Sequence, residues 1–175
     1  DHASVLFVDS LYKMWYMGED EQSTRIGYAT SSDGINWEKY AGNPVLDLGP
    51  PGAWDENEVM HPCVIFDGNT YHMWYNGYGQ GVQRTGYATS EDGIVWTKYA
   101  GNPVLAVGSP MGWDDYMLAL MSVIYADNEF KMWYTGIDSL TSGTGYATAN
   151  PITSVNSKDH IKIMEQLRLM GNYPN

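Results

Sequence analysis

A period of 59 residues runs through this chain. Met14-Trp15-Tyr16 returns as Met73-Trp74-Tyr75 and again as Met132-Trp133-Tyr134. Gly27-Tyr28-Ala29-Thr30 returns as Gly86-Tyr87-Ala88-Thr89 and Gly145-Tyr146-Ala147-Thr148 with the same spacing. From Leu11 to Asp55, 27 of 45 positions are identical to the residue 59 later, far more than chance allows. Gly42-Asn43-Pro44-Val45-Leu46, for example, recurs as Gly101-Asn102-Pro103-Val104-Leu105. A fixed period of this length marks a stacked or radial repeat architecture, so one repeat is the structural unit.

Inside one period, four short segments rich in β-branched and aromatic residues are separated by turn residues, the signature of an antiparallel meander. In the middle copy they are residues 59–66, 70–76, 85–90 and 95–99. Asp67-Gly68-Asn69 joins the first pair and Glu91-Asp92-Gly93 the last, both good hairpin turns. The strands are apolar on both faces, as sheets are when packed between two neighbours. No 3.6-residue periodicity runs through the repeat, which excludes helical solenoids. A radial stack of four-stranded sheets meets these demands, so the fold expected is an all-β β-propeller with about three blades. The blades are read as about residues 1–55, 56–114 and 115–150. Residues 151–175 read as a linker followed by a short C-terminal helix, with Ile161, Met164, Leu167 and Met170 on one stripe and Gly171 as its stop.

Three blades do not readily close a ring. The expectation is therefore either a fragment of a larger propeller, cut upstream of Asp1, or a homo-oligomer in which two copies complete the ring. Charge narrows the partners. With nine basic and 21 acidic residues the formal net charge is −12, which repels phosphate backbones and anionic membranes. No apolar run reaches the length of a membrane span. Cys63 is the one cysteine, in an apolar strand, where an inert structural thiol is expected.

The repeat also carries a resemblance. Tyr71-His72-Met73-Trp74-Tyr75-Asn76-Gly77, followed by residues 85–96 (Thr-Gly-Tyr-Ala-Thr-Ser-Glu-Asp-Gly-Ile-Val-Trp) and Asn102-Pro103-Val104-Leu105, resembles the blades of five-bladed propeller glycosidases. These are glycoside hydrolase families 43 and 32 and relatives that include family 130. The resemblance spans about residues 3–149. It implies a funnel at the propeller axis where one carboxylic acid protonates the leaving oxygen and a second activates water or attacks the sugar. A third acid tunes the pair. The final Gly171-Asn172-Tyr173-Pro174-Asn175 resembles the opening of the sorting domains of type IX secretion, which implies a secreted or cell-surface protein.

Comparison between copies sorts the acids. Asp33 and Asp92 occupy matching Ser-x-Asp-Gly turns, which resemble the Asp-box hairpins of sialidases, and are expected to bond nearby backbone amides. Glu58 opens the innermost strand of the middle copy, and its counterpart is Met117. It is the candidate general acid. Asp1, at the top of the first innermost strand, is the candidate base, and Asp115, matched by Glu56, the candidate third acid. His2 and His61 occupy equivalent positions and are candidates to hydrogen-bond a sugar hydroxyl or orient a carboxylate. Trp54 and Trp113 are candidates for stacking on sugar faces. No contiguous calcium loop is present, and neither a metal nor a cofactor is assigned. The third innermost strand begins Met117-Leu118-Ala119-Leu120-Met121 with no acid. A non-catalytic carbohydrate-binding or protein-interaction propeller is therefore the rival to a hydrolase.

Overall fold

A computed structural model describes residues 2–150. Asp1 and the segment expected to form a C-terminal helix lie outside the described residues. The first blade consists of β1 (Ala3–Val8), β2 (Leu11–Glu19), β3 (Thr24–Ser31) and β4 (Glu38–Lys39). The second is β5 (Glu58–Phe66), β6 (Tyr71–Gly79), β7 (Val82–Ser90) and β8 (Thr97–Lys98). The third shows β9 (Met117–Ala126), β10 (Glu129–Ile137) and β11 (Ser142–Ala149). Neighbouring strands within each blade are antiparallel, and Trp15, Trp74 and Trp133 all sit in the second strand, as expected from the repeat. No helix occurs among the described residues. A single parallel pairing, Gln83 with Met117, joins the second blade to the third and makes the joined sheet mixed. The whole curls as part of a propeller, with β1, β5 and β9 side by side on the inner side.

Two core clusters fill the gaps between blades. Trp15, Ile26 and Tyr28 of the first blade meet Val59, Val64, Tyr71, Met73 and Tyr75 of the second. Trp74 and Tyr87 of the second meet Leu118, Val123, Phe130 and Tyr134 of the third. Sheets apolar on both faces are thus explained, because each face meets a different neighbour. Trp15 is 0% exposed and Trp74 3%, whereas Trp133, with no further blade against it among the described residues, is 40% exposed.

The junctions are also polar, and they repeat. The Val64 N–H donates to Ser4 Oγ across the first junction, and the Val123 N–H reaches the Cys63 thiol at the equivalent place in the second. Burial pushes the Cys63 thiol up from its ordinary range, in keeping with a structural role. The Trp15 indole N–H donates to the Gly93 carbonyl at 2.7 Å, fixing the first blade to the Asp-box turn of the second. Those turns behave as expected: Asp33 accepts from the Ile35 and Asn36 amides, and Asp92 from those of Ile94 and Val95. Asn43 and Asn102 of the Gly-Asn-Pro motif clamp the third strand by accepting from the Tyr28 and Tyr87 amides.

Two boundaries differ from expectation: the fourth strand of the middle blade, read as residues 95–99, is the two-residue β8, and the β6–β7 hairpin is longer than read. The segment from Gly77 to Arg84 reads as a glycine-rich loop, yet it extends the β6–β7 hairpin. Its glycines serve a packing purpose. A Cβ at Gly77 would lie 2.5 Å from the Trp54 ring, and one at Gly79 would lie 2.7 Å from the Ala53 carbonyl oxygen.

Candidate functional site

The inner strands carry a device that the period alone does not announce. In β5 the register passes from Met60–Asn76 to Cys63–Trp74, so two residues oppose one. In β9 it passes from Ala119–Thr135 to Ser122–Trp133, the same step one repeat later. The first bulge residue is left-handed in both, with φ of 50° at His61 and 35° at Leu120. A bulge re-aims side chains at a sheet's inner edge, and a non-glycine residue is held in this region only where its surroundings dictate it.

In the middle blade, the bulge residue His61 faces Asn76. Asn76 is 0% exposed, and its counterparts are Met17 and Thr135. Its amide nitrogen donates to the Leu118 carbonyl at 3.0 Å and approaches Thr85 Oγ1 at 3.4 Å, while its oxygen faces His61 Nδ1 at 3.2 Å. Gln83 donates to the same Leu118 carbonyl at 2.5 Å. The His2 ring meets the His61 ring edge-on, with centroids 5.7 Å apart. Burial lowers the pKa of both imidazoles from the ordinary range, favouring the neutral form at neutral pH. The two histidines picked from the sequence are therefore brought together.

Glu58 is the first residue of β5, half-buried and paired in register with Tyr78. Strand alternation puts Glu58, Tyr78 and Asn76 on the side of the blade that faces the third blade. Trp54 lies on the other side, over Gly77 and Gly86 and tilted against Tyr75. Trp113 repeats this over Gly136 and Gly143, stacked on Tyr134. Wedging against glycines accounts for both tryptophans without a ligand. Asp115 accepts the Met111 amide at 2.6 Å, and its counterpart Glu56 accepts the Gly52 amide at 2.6 Å, so the pair closes equivalent loops between blades. Asp55 is buried, with Lys98 at 2.6 Å and the Tyr75 hydroxyl at 3.3 Å. Among the described residues no three His, Cys, Asp or Glu side chains converge as a metal site. A cavity of about 330 Å³ lies between Tyr28, Lys39, Tyr40 and Ile94, at the outer strands and away from Glu58.

Sequence reasoning missed Asn76 and Gln83. The signal was weak, because the position of Asn76 carries Met17 and the polar Thr135 in the other copies, and that of Gln83 carries Thr24 and Ser142, so comparison of copies does not isolate either residue.

This is the fold of the β-propeller glycoside hydrolases. A family 117 glycoside hydrolase of the marine bacterium Zobellia galactanivorans superimposes with a TM-score of 0.75 at 17% identity, over 85% of this chain and 52% of that one. The family 32 β-fructofuranosidase of Bombyx mori gives 0.66 at 18% identity, over 86% of this chain and 34% of that one. No known family profile matches the chain. By sequence it is 33% identical over 143 residues to an uncharacterized protein of Mycobacterium tuberculosis, covering 78% of this chain and 46% of the relative. It is 27% identical over 112 residues to a beta-1,2-mannobiose phosphorylase of Thermoanaerobacter, covering 56% of this chain and 36% of that enzyme. The chain thus spans less than half the length of these curated relatives.

Proposed function

We propose that this chain forms the ligand-binding half of a carbohydrate-active propeller that binds an oligosaccharide and takes part in cleaving its glycosidic bond. One observation carries the reading: Glu58, a carboxyl group found in one copy only, opens the inner strand whose bulge presents His61. A carboxylic acid at that place can protonate a leaving glycosidic oxygen, and attack comes from water or, as the phosphorylase relative suggests, from phosphate. Asp1 remains the proposed base. Asp115, tied to the Met111 amide, is the weaker candidate for the third acid. That engagement favours a second reading, a binding module without turnover.

The exposed blade faces support a homo-oligomer that completes the ring. Trp133 on one open face and Val5 and Phe7 on the other, at 47% and 61% exposure, occupy positions whose counterparts meet a neighbouring blade. The net charge argues against nucleic acid or anionic membrane as partner. The C-terminal Tyr173-Pro174-Asn175 supports an exported or cell-surface protein.

The test is turnover of nitrophenyl pentosides and hexosides and of plant and mannan oligosaccharides, with and without inorganic phosphate, alongside glycan-array binding. Glu58→Gln should keep affinity and lose most turnover, because an amide cannot supply the proton. Clear binding without turnover by the wild type selects the binding module, and the absence of both signals refutes the carbohydrate reading.

A further inference from the structure

The hydrogen-bond pattern around Asn76 fixes where the His61 proton sits. A backbone carbonyl only accepts, so the side-chain group facing Leu118 O at 3.0 Å must be the Asn76 amide nitrogen. Turning the amide over would set two acceptors against each other. The Asn76 oxygen therefore faces His61 Nδ1, and that contact is a hydrogen bond only if Nδ1 carries a proton. In the neutral ring Nε2 is then bare.

That second nitrogen is not sealed by the described residues. No described residue bonds to it, and the buried polar side-chain atoms lacking a partner among the described residues are Ser23 Oγ and Arg84 Nη1. Its ring stands on the left-handed bulge residue of the inner strand that Glu58 opens, beside His2. We infer that Asn76 locks His61 as the Nδ1–H tautomer and so presents Nε2 as an acceptor for a hydroxyl of a sugar bound beside Glu58. The inference rests on the carbohydrate reading above and makes Asn76 a positioning residue for it. The titratable groups acting on the ring are His2 before β1 and the α-amino group at residue 1, while Glu58 lies three residues earlier on the same strand. Burial of both imidazoles favours an acceptor over a cationic donor. Asn76 also ties the second blade to the third, but Gln83 reaches the same Leu118 carbonyl, so that task is shared while contact with His61 Nδ1 is not.

The experiment is nitrogen-15 NMR of the histidine side chains in the 175-residue chain at neutral pH, first free and then titrated with methyl pentosides and hexosides. The expected result is a neutral His61 with its proton on Nδ1 and a bare Nε2. Asn76→Leu should move the proton toward Nε2, while Gln83→Leu, which loosens the same junction, should leave it in place. A bound sugar should shift Nε2, and His61→Phe should weaken its binding about tenfold, the effect of one hydrogen bond. An Nε2–H tautomer or an imidazolium in the wild type overturns the inference with no variant needed. Sugar binding that leaves Nε2 unmoved also overturns it and spares the carbohydrate reading. Absence of any sugar binding removes that reading and the acceptor role together, whatever the tautomer.

Discussion

The repeat supplies its own controls for the strength of a blade junction. Trp15, Trp74 and Trp133 are the same residue in the same register, paired with Ser4, Cys63 and Ser122 on the inner strand. They differ in how far the next blade covers them, with exposures of 0%, 3% and 40%. Truncating a buried tryptophan to alanine costs about 3–5 kcal/mol. Trp15→Ala removes one of two indole donors from the Gly93 carbonyl, and Trp96 Nε1 at 3.0 Å keeps that oxygen satisfied, so lost packing dominates the cost. Trp133→Ala should cost about 2 kcal/mol, since two-fifths of that side chain is already in water. The gap of about 2 kcal/mol between the first and third sites is roughly a thirtyfold difference in the folding constant. Guanidinium unfolding of the three variants, followed by far-ultraviolet circular dichroism at low micromolar concentration, measures it. Equal costs at all three sites would refute the assignment of blade packing as the source. A cost at Trp133 that rises with protein concentration would instead show a second copy covering that face.

Other expectations use the same internal comparison. Lys98→Met strands the buried Asp55 carboxylate and should cost about 2–3 kcal/mol, whereas Lys39→Met, whose nitrogen lies 5.6 Å from the Tyr16 ring centre, should cost under about 1 kcal/mol by the same unfolding assay. Equal losses would sink the ion-pair argument. Gly86→Ala should cost roughly 1–3 kcal/mol, because its Cβ would come within 2.6 Å of Tyr75 and 2.7 Å of Trp54; an unchanged unfolding midpoint would show that the wedge yields. The Asn36 amide, with the Asn36 side chain and the Ile35 amide, holds the Asp33 carboxyl well below its usual range. Its contribution is therefore present above the unfolded value near 4 and is lost as pH falls toward the folded value. Asp33→Ala should lose less stability than the wild type between pH 6 and pH 3, and parallel losses would contradict this.

The strands were legible because the period printed them three times, and the Asp-box turns because Asp and Gly stand where such turns need them. The hairpin extension through Gly77 and Gly79 was hidden. Glycine reads as a loop, and only the approach of Trp54 from the preceding loop shows that these glycines make room. The bulges were hidden for a different reason: His61 and Leu120 share a backbone conformation but not a side-chain type, so no residue preference announces it. Glu58, His2 and His61 were singled out as candidates by comparing copies. Trp54, Trp113 and Asp115 were picked for their chemistry, and their contacts inside the blade required coordinates.

The acceptor shared by Ser4 and Cys63 reaches only the inner strand of the next repeat. Among the described residues, the contacts between blades join adjacent units only, and the outer faces carrying Val5, Phe7 and Trp133 are left for whatever completes the ring. Each blade emerging from the ribosome meets a complementary surface already in place, so ordering can propagate from the first unit toward the last as a sum of nearest-neighbour gains. Copying or deleting one such unit leaves every other junction with its own donor and acceptor, which is how neighbouring repeats can stay nearly identical while a lone Glu58 or Asn76 diverges in one of them.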